Sequence, residues 1–590
     1  MIRALDRKLL RDLTRMKAQV AAIAVVIASG VAVFVALSMM YRSVRRSQEV
    51  FYTQWRFAHL WSGLAQAPLR VAHGIENLAG AAAVDARLMT RAVLDVPGLM
   101  EPASALILSV PGGARDAVNA LYVRRGRHPE PRRPGEALIS EAFAEKNRLR
   151  PGDSLSAVIA GQHATLRIVG VALSPEYVMP MEPGSILPDD RRFAILWMAR
   201  GELEALLDMR GQFNDVAVRL VPGADERRAV DGLDRVLAPY GGLGAFGRRS
   251  QGSHVMLEEH LQPLKPLSLF VPTIFLLVSA FLVNVVMGRL VARQREQIGM
   301  LKAFGYSNSR IATHYLELTL IIVLVGVAAG IPIGLWLGGI FSRFYATFFG
   351  FPVLILEIEA ATVAGGAALA ALAAVAGVVG TLRRVVVLPP TVAMTSEVPR
   401  FRHALLDRAG IMPLFSPSWR MMVRNLTKRA LRSGLSSAGM ALAVAVVVLG
   451  RSSGDSFDRM RDVQFQAAQL QDIAVTLANP RAVATVRDFL ALPGVTRAEP
   501  YRLVPARLLV RGGYEDIALF GLPPGGVLRR AVGTDFRRAP RLGTRVVLTA
   551  WTARRFGLVP GDLLSIEIRQ RRRPLVTARL AAVSNEPIGE

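Results

Sequence analysis

Four stretches of this chain have residue types and spacing that could do chemistry. Gly242–Gly247, GLGAFG, fits the G-x-G-x-x-G of a dinucleotide loop, whose glycines let backbone approach a pyrophosphate. Gly450–Gly454, GRSSG, fits the G-x-S-x-G of a nucleophile elbow, which raises a serine on a strained strand-to-helix turn. His254–His260, HVMLEEH, gathers two imidazoles and two carboxylates of the kind that hold zinc. Arg293–Arg310, RQREQIGMLKAFGYSNSR, is polar, charged and carries two glycines between two long apolar runs. The first three fail on context. GLGAFG stands just before an apolar run rather than inside a βαβ unit, and GRSSG directly follows one, where no elbow is expected. HVMLEEH reads as a solvated helix near a membrane. No G-x-x-x-x-G-K-[ST] occurs, so the chain is not expected to supply an ATP site of the P-loop kind. With no convincing catalytic constellation, it is not expected to be an enzyme, and it has no metal site of its own.

The fourth stretch rewards a closer reading. It starts as a helix continuing from the apolar run before it, with Ile298, Leu301 and Phe304 on one stripe. Arg295, Gly299 and Lys302 fall on a different face. A glycine inside a helix costs about 1 kcal/mol relative to alanine, so Gly299 is expected to serve packing, as a notch between two cations open to another protein. Gly305 can end the helix in a left-handed cap, and Ser307 and Ser309 can cap the next one, which carries Glu317 near its start. The segment therefore reads as a rigid docking helix.

The elements that must hold it are membrane spans. Hydrophobic residues make up 52% of the 590, and the mean hydropathy is +0.33. Five segments lack charge: Ala18–Tyr41, Leu267–Gly288, Leu318–Ser342, Ala360–Leu382 and Ser433–Gly450. About 20 apolar residues cross ~30 Å of hydrocarbon, so four pass easily and the fifth is at the lower limit. The first has no cleavage pattern and reads as an uncleaved anchor. Ala and Gly crowd the fourth, which is expected to pack inside a bundle, and Asn284 in the second is expected to hydrogen-bond another helix.

Charge placement sets the expected orientation. Of the net +26, residues 1–17 carry +4, residues 289–317 carry +3 and residues 383–432 carry +8. These segments share one side if the spans alternate, and the positive-inside rule makes that side the cytoplasm, N-terminus included. The basic balance is thus expected to serve a membrane and not nucleic acid. With no cysteine in the chain, disulfides and thiolate metal sites are excluded. Large segments, 42–265 and 451–590, then lie outside. In them ATLRIVGVAL and LLSIEIRQ read as strands, and DERRAVDGLDRVLAPYG as a helix ending at glycine.

The chain also repeats itself. RDLTR (Arg11–Arg15) precedes the first span and RNLTK (Arg424–Lys428) the fifth. VLDVPGL (Val93–Leu99) matches FLALPGV (Phe489–Val495). GEALISEAFAEKNRLRPGDSLS (Gly135–Ser156) matches GTRVVLTAWTARRFGLVPGDLLS (Gly543–Ser565) with one inserted residue. A period of roughly 410 residues is a duplication. The expected fold is an α-helical transmembrane bundle with large α+β extracytoplasmic domains: a one-plus-three span repeat, begun twice. Its parts are a cytoplasmic amphipathic helix (1–17), span one (18–41), a first extracytoplasmic core domain (42–265) and span two (267–288). Then come the cytoplasmic loop (289–317), span three (318–342), span four (360–382), a cytoplasmic linker with a second amphipathic helix (383–432), span five (433–450) and a second core domain (451–590). The second copy is expected to be incomplete, the rest of its core domain and three further spans belonging to a longer chain. Ile2, Leu5, Leu9, Leu13 and Met16 stripe the first amphipathic helix. Ser418 can cap the second, with Trp419, Met422, Leu426 and Ala430 on it. Each is expected to lie along the inner membrane surface or, alternatively, to be the extension of its span.

RQREQIGMLKAFGYSNSRIATHYLELTL strongly resembles the cytoplasmic segment of the FtsX-like/MacB-type ABC transporter permeases, R-x-x-E-I-G-x-L-K-A-x-G followed by a Glu at the next span. It departs from that pattern by Gln297 between Glu296 and Ile298. The PGD segment resembles the family's extracytoplasmic core domain, and YGGLGAFGR before span two is similar to family members. The resemblance implies a permease subunit in a bacterial cytoplasmic (inner) membrane, multi-pass, served by a pair of cytoplasmic ATPase subunits that hold ATP and magnesium, so that no cofactor belongs to this chain. Arg295, Glu296, Gly299, Lys302, Gly305 and Glu317 would carry the coupling, without doing chemistry. A periplasmic adaptor and membrane lipid are implied partners. The implied function is export or extraction of a lipid, lipoprotein or other amphipathic substrate; the alternative is transmembrane signalling to an extracytoplasmic partner such as a cell-wall hydrolase.

Overall fold

The computed structural model describes residues 4–110, 117–182, 188–386, 416, 430–477, 480–510, 513–532, 545–569 and 574–584. The helices are α1 (Ala4–Arg15), α2 (Lys17–Gln54), α3 (Arg70–Glu76), α4 (Glu141–Lys146), α5 (Arg200–Leu206), α6 (Glu226–Leu237) and α7 (Gly252–Leu261), then α8 (Leu264–Arg293), α9 (Arg295–Ala303), α10 (Asn308–Phe348), α11 (Ala360–Val386), α12 (Ala430–Asp462), α13 (Val486–Leu490) and α14 (Ala550–Phe556). The strands of the first β domain are β1 (Leu60–Pro68), β2 (Ala81–Arg87), β3 (Met89–Asp95), β4 (Ala103–Ser109), β5 (Tyr122–Gly126), β6 (Glu136–Ser140), β7 (Ser154–Ile159), β8 (Gln162–Leu173), β9 (Phe193–Met198), β10 (Gln212–Leu220) and β11 (Phe246–Gly247). Those of the second are β12 (Arg502–Val510), β13 (Gly513–Gly521), β14 (Val546–Thr549), β15 (Leu563–Ile568) and β16 (Leu575–Ser584). Two compact units result, a helical one within residues 1–46, 261–346 and 354–453, and a β-rich one within 47–260, 347–353 and 454–590.

Among the described residues four helical stretches are long and apolar enough to cross a membrane: Lys17–Gln54, Gly252–Arg293, Asn308–Phe348 and Ala360–Gly380. They contain the first four expected spans. The residues expected as span five lie within α12, where the described Met440, Val444, Val447 and Val448 are exposed. Helix α2 outruns its expected span by more than three turns; its 38 residues reach about 57 Å at 1.5 Å per residue.

One close helix packing lies where the sequence reading did not place it. On α10, Gly326, Gly330, Gly334 and Gly338 recur every four residues and face α2. A Cβ at Gly330 would stand 2.7 Å from the Ala28 carbonyl oxygen, and one at Gly334 2.8 Å from that of Ala32. Without those methyls the two backbones approach, and dispersion contacts hold helices together where lipid offers no hydrophobic drive. The Ala/Gly-rich α11 buries one stripe, Gly366, Ala370, Ala374 and Val378, and leaves the rest of its surface more open. Asn284 does hydrogen-bond another helix: its amide donates to the Gly377 carbonyl on α11.

Helix α1 ends at Arg15, and Leu9, Leu13 and Met16 join the cluster that holds Ile298, Ile311 and Tyr315. This part of its apolar stripe packs on protein. Ile2, the second amphipathic helix over Ser418, Trp419, Met422 and Leu426, and most of the 383–432 linker lie outside the described residues.

The first β domain holds two sheets. One has the order β11-β1-β10-β2. The other runs β5-β8-β6-β9-β4-β3-β7, and β7 also pairs with β8, so six strands close on themselves with β5 added outside. Closure leaves those six without a free edge. Leu94, Ile107, Ile139, Phe143 and Leu196 fill the interior. ATLRIVGVAL lies in β8, and Asp225 caps α6 by accepting from the Arg227 and Arg228 amides. A buried ion network marks the sheet edges. The Arg87 guanidinium on β2 donates to Asp215 on β10 at 2.5 Å and to both Glu176 oxygens at 2.6 Å. Asn119 donates to Glu176 as well, at 2.7 Å.

The second β domain has the order β13-β12-β15-β16-β14. Its segment β14–α14–β15–β16 matches β6–α4–β7–β8 strand for strand. Strand β6 runs parallel to β8 with a register shift after Ala137, and β14 runs parallel to β16 with the same shift after Val546. The PGD turns agree to the hydrogen bond: Asp153 Oδ2 accepts from the Arg150 amide at 2.7 Å, and Asp562 Oδ2 from the Val559 amide at 2.8 Å. Gly152 and Gly561 both have φ of +109°. The other matched pair differs. VLDVPGL opens in strand β3, whereas FLALPGV opens in helix α13. Strand β3 is paired on both sides, and in the second domain the seat beside β15 belongs to β12.

Candidate functional site

The docking segment is built around one joint. Helix α8 stops at Gln294, whose φ of −93° and ψ of +14° break the α-helical run before α9 restarts for nine residues. Gln294 Oε1 accepts from Lys8 Nζ at 2.7 Å and from the Tyr315 hydroxyl at 2.8 Å. Lys8 also pairs with the buried Asp12 at 2.6 Å. One amide oxygen thus ties α1, the α8–α9 joint and α10 together. At the far end Gly305, with φ of +88°, closes α9: its amide donates to Lys302 and the Tyr306 amide to Leu301. That pair of bonds is a Schellman motif, which needs a left-handed residue at this position. Ser307 Oγ then accepts from the Arg310 amide and caps α10.

The faces of α9 differ from those expected. Ile298 and Gly299 are buried and Leu301 is half-buried against the same core cluster. Gly299 is therefore no notch open to solvent. Phe304, expected on the buried stripe, is 81% exposed, and Met300 is 45% exposed. The stripe ends at Leu301 because the Schellman turn carries the chain away before Phe304 can reach the core. Glu296 and Gln297 are exposed, while Arg295 and Lys302 are half-buried. Burial lowers the Lys302 pKa from its ordinary value. Glu317 is exposed on α10, nine residues from its start, roughly 14 Å along the axis. Of the six expected residues, five lie on α9 or its cap and Glu317 stands apart along α10.

Sequence reasoning missed Lys8, Asp12, Gln294 and Tyr315. A bond between positions 286 residues apart leaves no periodic signal. The imidazoles of HVMLEEH find partners: His254 Nδ1 is 3.1 Å from the Tyr52 hydroxyl, 202 residues away in the chain, and His260 Nδ1 is 2.7 Å from the Met256 carbonyl.

This helix–stub–helix arrangement, with α11 after it, is where the chain matches a family model, described as FtsX-like permease C-terminal, over residues 269–390. The joint at Gln294, the α9 stub and the glycine-striped α10 all lie inside that stretch. Three of the membrane-length helical stretches, Gly252–Arg293, Asn308–Phe348 and Ala360–Gly380, overlap the matched residues. No curated protein matches the chain. Among solved structures, the periplasmic region of MacB from Actinobacillus actinomycetemcomitans is similar at 9% identity and a TM-score of 0.24, over 36% of this chain and 95% of that one. The extracellular domain of the noncanonic ABC-type transporter YknZ from Gram-positive bacteria is similar at 14% identity and a TM-score of 0.22, over 31% and 92%. At such scores neither likeness bears on mechanism.

Proposed function

We propose that the chain is the permease subunit of an ABC transporter and converts closure of a cytoplasmic ABC ATPase dimer into movement of its β domains, for export or extraction of a lipid, lipoprotein or other amphipathic substrate. The observation that carries this reading is the exposed pair Met300 and Phe304 on a nine-residue stub between two membrane-length helices. Apolar groups held out by a rigid turn, rimmed by Glu296 and Gln297, have the make-up of a small docking knob. A push on α9 reaches the Gln294 joint directly, and through Lys8 it reaches α1, which leads into α2. The basic segments of the sequence support a cytoplasmic N-terminus and stub. ATP and magnesium would sit on the ATPase. Arg295, Glu296 and Lys302 would flank the contact, Gly305 would shape it, and Glu317 would follow on α10. A periplasmic adaptor and membrane lipid complete the proposed partners. Two begun repeats favour transport over signalling, and the matching PGD segments support the duplication.

Phe304→Ala and Met300→Ala test the docking. Both side chains are exposed, so the variants should insert and fold normally. Each is expected to weaken capture of the ATPase about tenfold, the loss typical of a contact residue worth ~1.4 kcal/mol. Unchanged capture together with unchanged stimulation of ATP turnover in both variants would sink the reading. Stimulated turnover with no lipid released, but a cell-wall hydrolase switched on, would replace transport by signalling.

A further inference from the structure

At the end of the helical unit away from the Gln294 joint, α2, α10 and the start of α11 enclose a shallow crevice. Its wall is apolar: Val35 and Met39 of α2, Leu335 of α10 and Val363 of α11. Its rim is charged. Arg42 of α2 pairs with Glu359, the residue before α11, and the Thr362 hydroxyl donates to the same carboxylate at 2.8 Å. The Arg42 and Glu359 side chains are 42% and 40% exposed, so this pair leaves donors and acceptors open to a ligand. Glu357 stands on the rim as well. Its main-chain amide donates to Ser43 Oγ at 2.9 Å, and its carboxylate has no hydrogen bond or ion pair among the described residues.

The layout follows the spans. Val35 and Met39 lie in the uncharged run 18–41, Leu335 in 318–342 and Val363 in 360–382, whereas Arg42, Glu357 and Glu359 stand just outside those runs. From Val35 to Arg42 the helix rises roughly 10 Å. In a bilayer the wall therefore meets acyl chain and the rim meets headgroup. The rim charges choose the headgroup. The guanidinium offers N–H donors to a phosphodiester, and the carboxylates of Glu357 and Glu359 accept from a primary ammonium. A phosphodiester alone would meet two carboxylates against one cation. A quaternary ammonium has no N–H to give. A primary ammonium and a phosphodiester joined in one headgroup satisfy all three side chains.

We propose that this crevice is a seat for one zwitterionic aminophospholipid, of the phosphatidylethanolamine kind. Its phosphodiester sits on Arg42, its ammonium on Glu357 and Glu359, and one acyl chain runs along Val35, Met39, Leu335 and Val363. A lipid so held bridges α2 and the start of α11 beside their ion pair. The seat needs these helices to span a bilayer and does not rest on the ATPase reading.

The probe is phosphatidylethanolamine with a photoactivatable diazirine on one acyl chain, at trace level in phosphatidylcholine nanodiscs that hold the 590-residue chain. Cross-linked peptides are read by mass spectrometry. Labels are expected on the peptides that carry Val35 and Met39, Leu335, and Val363. Replacing part of the matrix with unlabelled phosphatidylethanolamine should lower those labels about fivefold or more, and the same amount of phosphatidylglycerol less than about twofold. Glu357→Gln keeps the main-chain bond to Ser43 and should unfold at the parent's temperature, yet lose about tenfold in labelling, the worth of one charge-assisted hydrogen bond. Glu357→Asp should regain part of it. Labels absent from these peptides, equal competition by phosphatidylglycerol, no competition by phosphatidylethanolamine beyond the phosphatidylcholine matrix, or full labelling of Glu357→Gln each overturn the seat.

Discussion

The two β domains share a turn, a helix and three strands in one register, yet six strands of the first close into a ring while the described strands of the second form an open sheet. In the first, β9 pairs with β4 and β6, and the ring leaves no ladder edge among its six members. In the second, β13 and β14 are the end strands among the described residues. Local sequence, then, sets a turn and the register beside it within a dozen residues. Closure depends on a strand that arrives from far along the chain, and no feature of the turn announces it.

The largest expected break in this comparison comes at Arg87. Replacing it with Met leaves Glu176 and Asp215 buried without their cation, and breaking such a pair costs about 3–5 kcal/mol. Exchange in full-length protein should rise across β2, β10 and the Pro175–Tyr177 turn, while β12–β16 keep their rates. Equal loosening of both domains would show that they share stability.

A pH effect comes next. Burial first, with Glu176 and Asp215 adding to it, pushes the Asp85 carboxyl up to about 6 against the opposing pull of Arg87. A raised folded-state pKa means that the contribution is fully present below the unfolded value near 4 and is lost as pH rises through 6. The first domain is therefore expected to tighten as pH falls from 7 to 5. Asp85→Asn should flatten that dependence, and exchange rates of β2 across this range check it. A slope surviving in the Asn variant would assign the effect to another group.

The paired turns allow a finer test. Asp153→Ala and Asp562→Ala each remove an acceptor from a backbone amide, and each should cost about 1 kcal/mol locally. The open sheet should show the loss more widely, because fewer strands brace it. Identical spread in both domains would deny the ring its bracing role. The smallest effect is expected from Arg148→Gly, at the first of the two positions where the turns differ: Arg148 has φ of +57° and its counterpart Gly557 +64°. Arg148→Gly should gain a few tenths of a kcal/mol, since left-handed backbone strain is relieved against added chain entropy. Gly557→Ala should lose about 1 kcal/mol. Both are read by thermal unfolding of the two single variants.

What the sequence by itself determined was local or periodic. Four apolar helices, the Gly305 cap, the Ser307 cap, the PGD turns, strands β8 and β15 and the α6 helix all follow from neighbours within a few residues. There the backbone's own hydrogen bonds and φ preferences decide. Asn284 was legible too, since an amide in an apolar span must find a partner. The tertiary structure decided which faces are covered. Gly299 is buried and Phe304 exposed: Ile298 and Leu301 join one core cluster with Leu9 of α1 and Ile311 of α10, and the Schellman turn carries Phe304 away from it. The Lys8–Gln294–Tyr315 node, the α2–α10 glycine contact and the Arg87 network join residues far apart in the chain. Periodicity can say that a helix has an apolar stripe, but the stripe's partner is set by packing over the whole fold. In the second β domain the end positions of β13 and β14 follow from strand pairing, which no local pattern encodes.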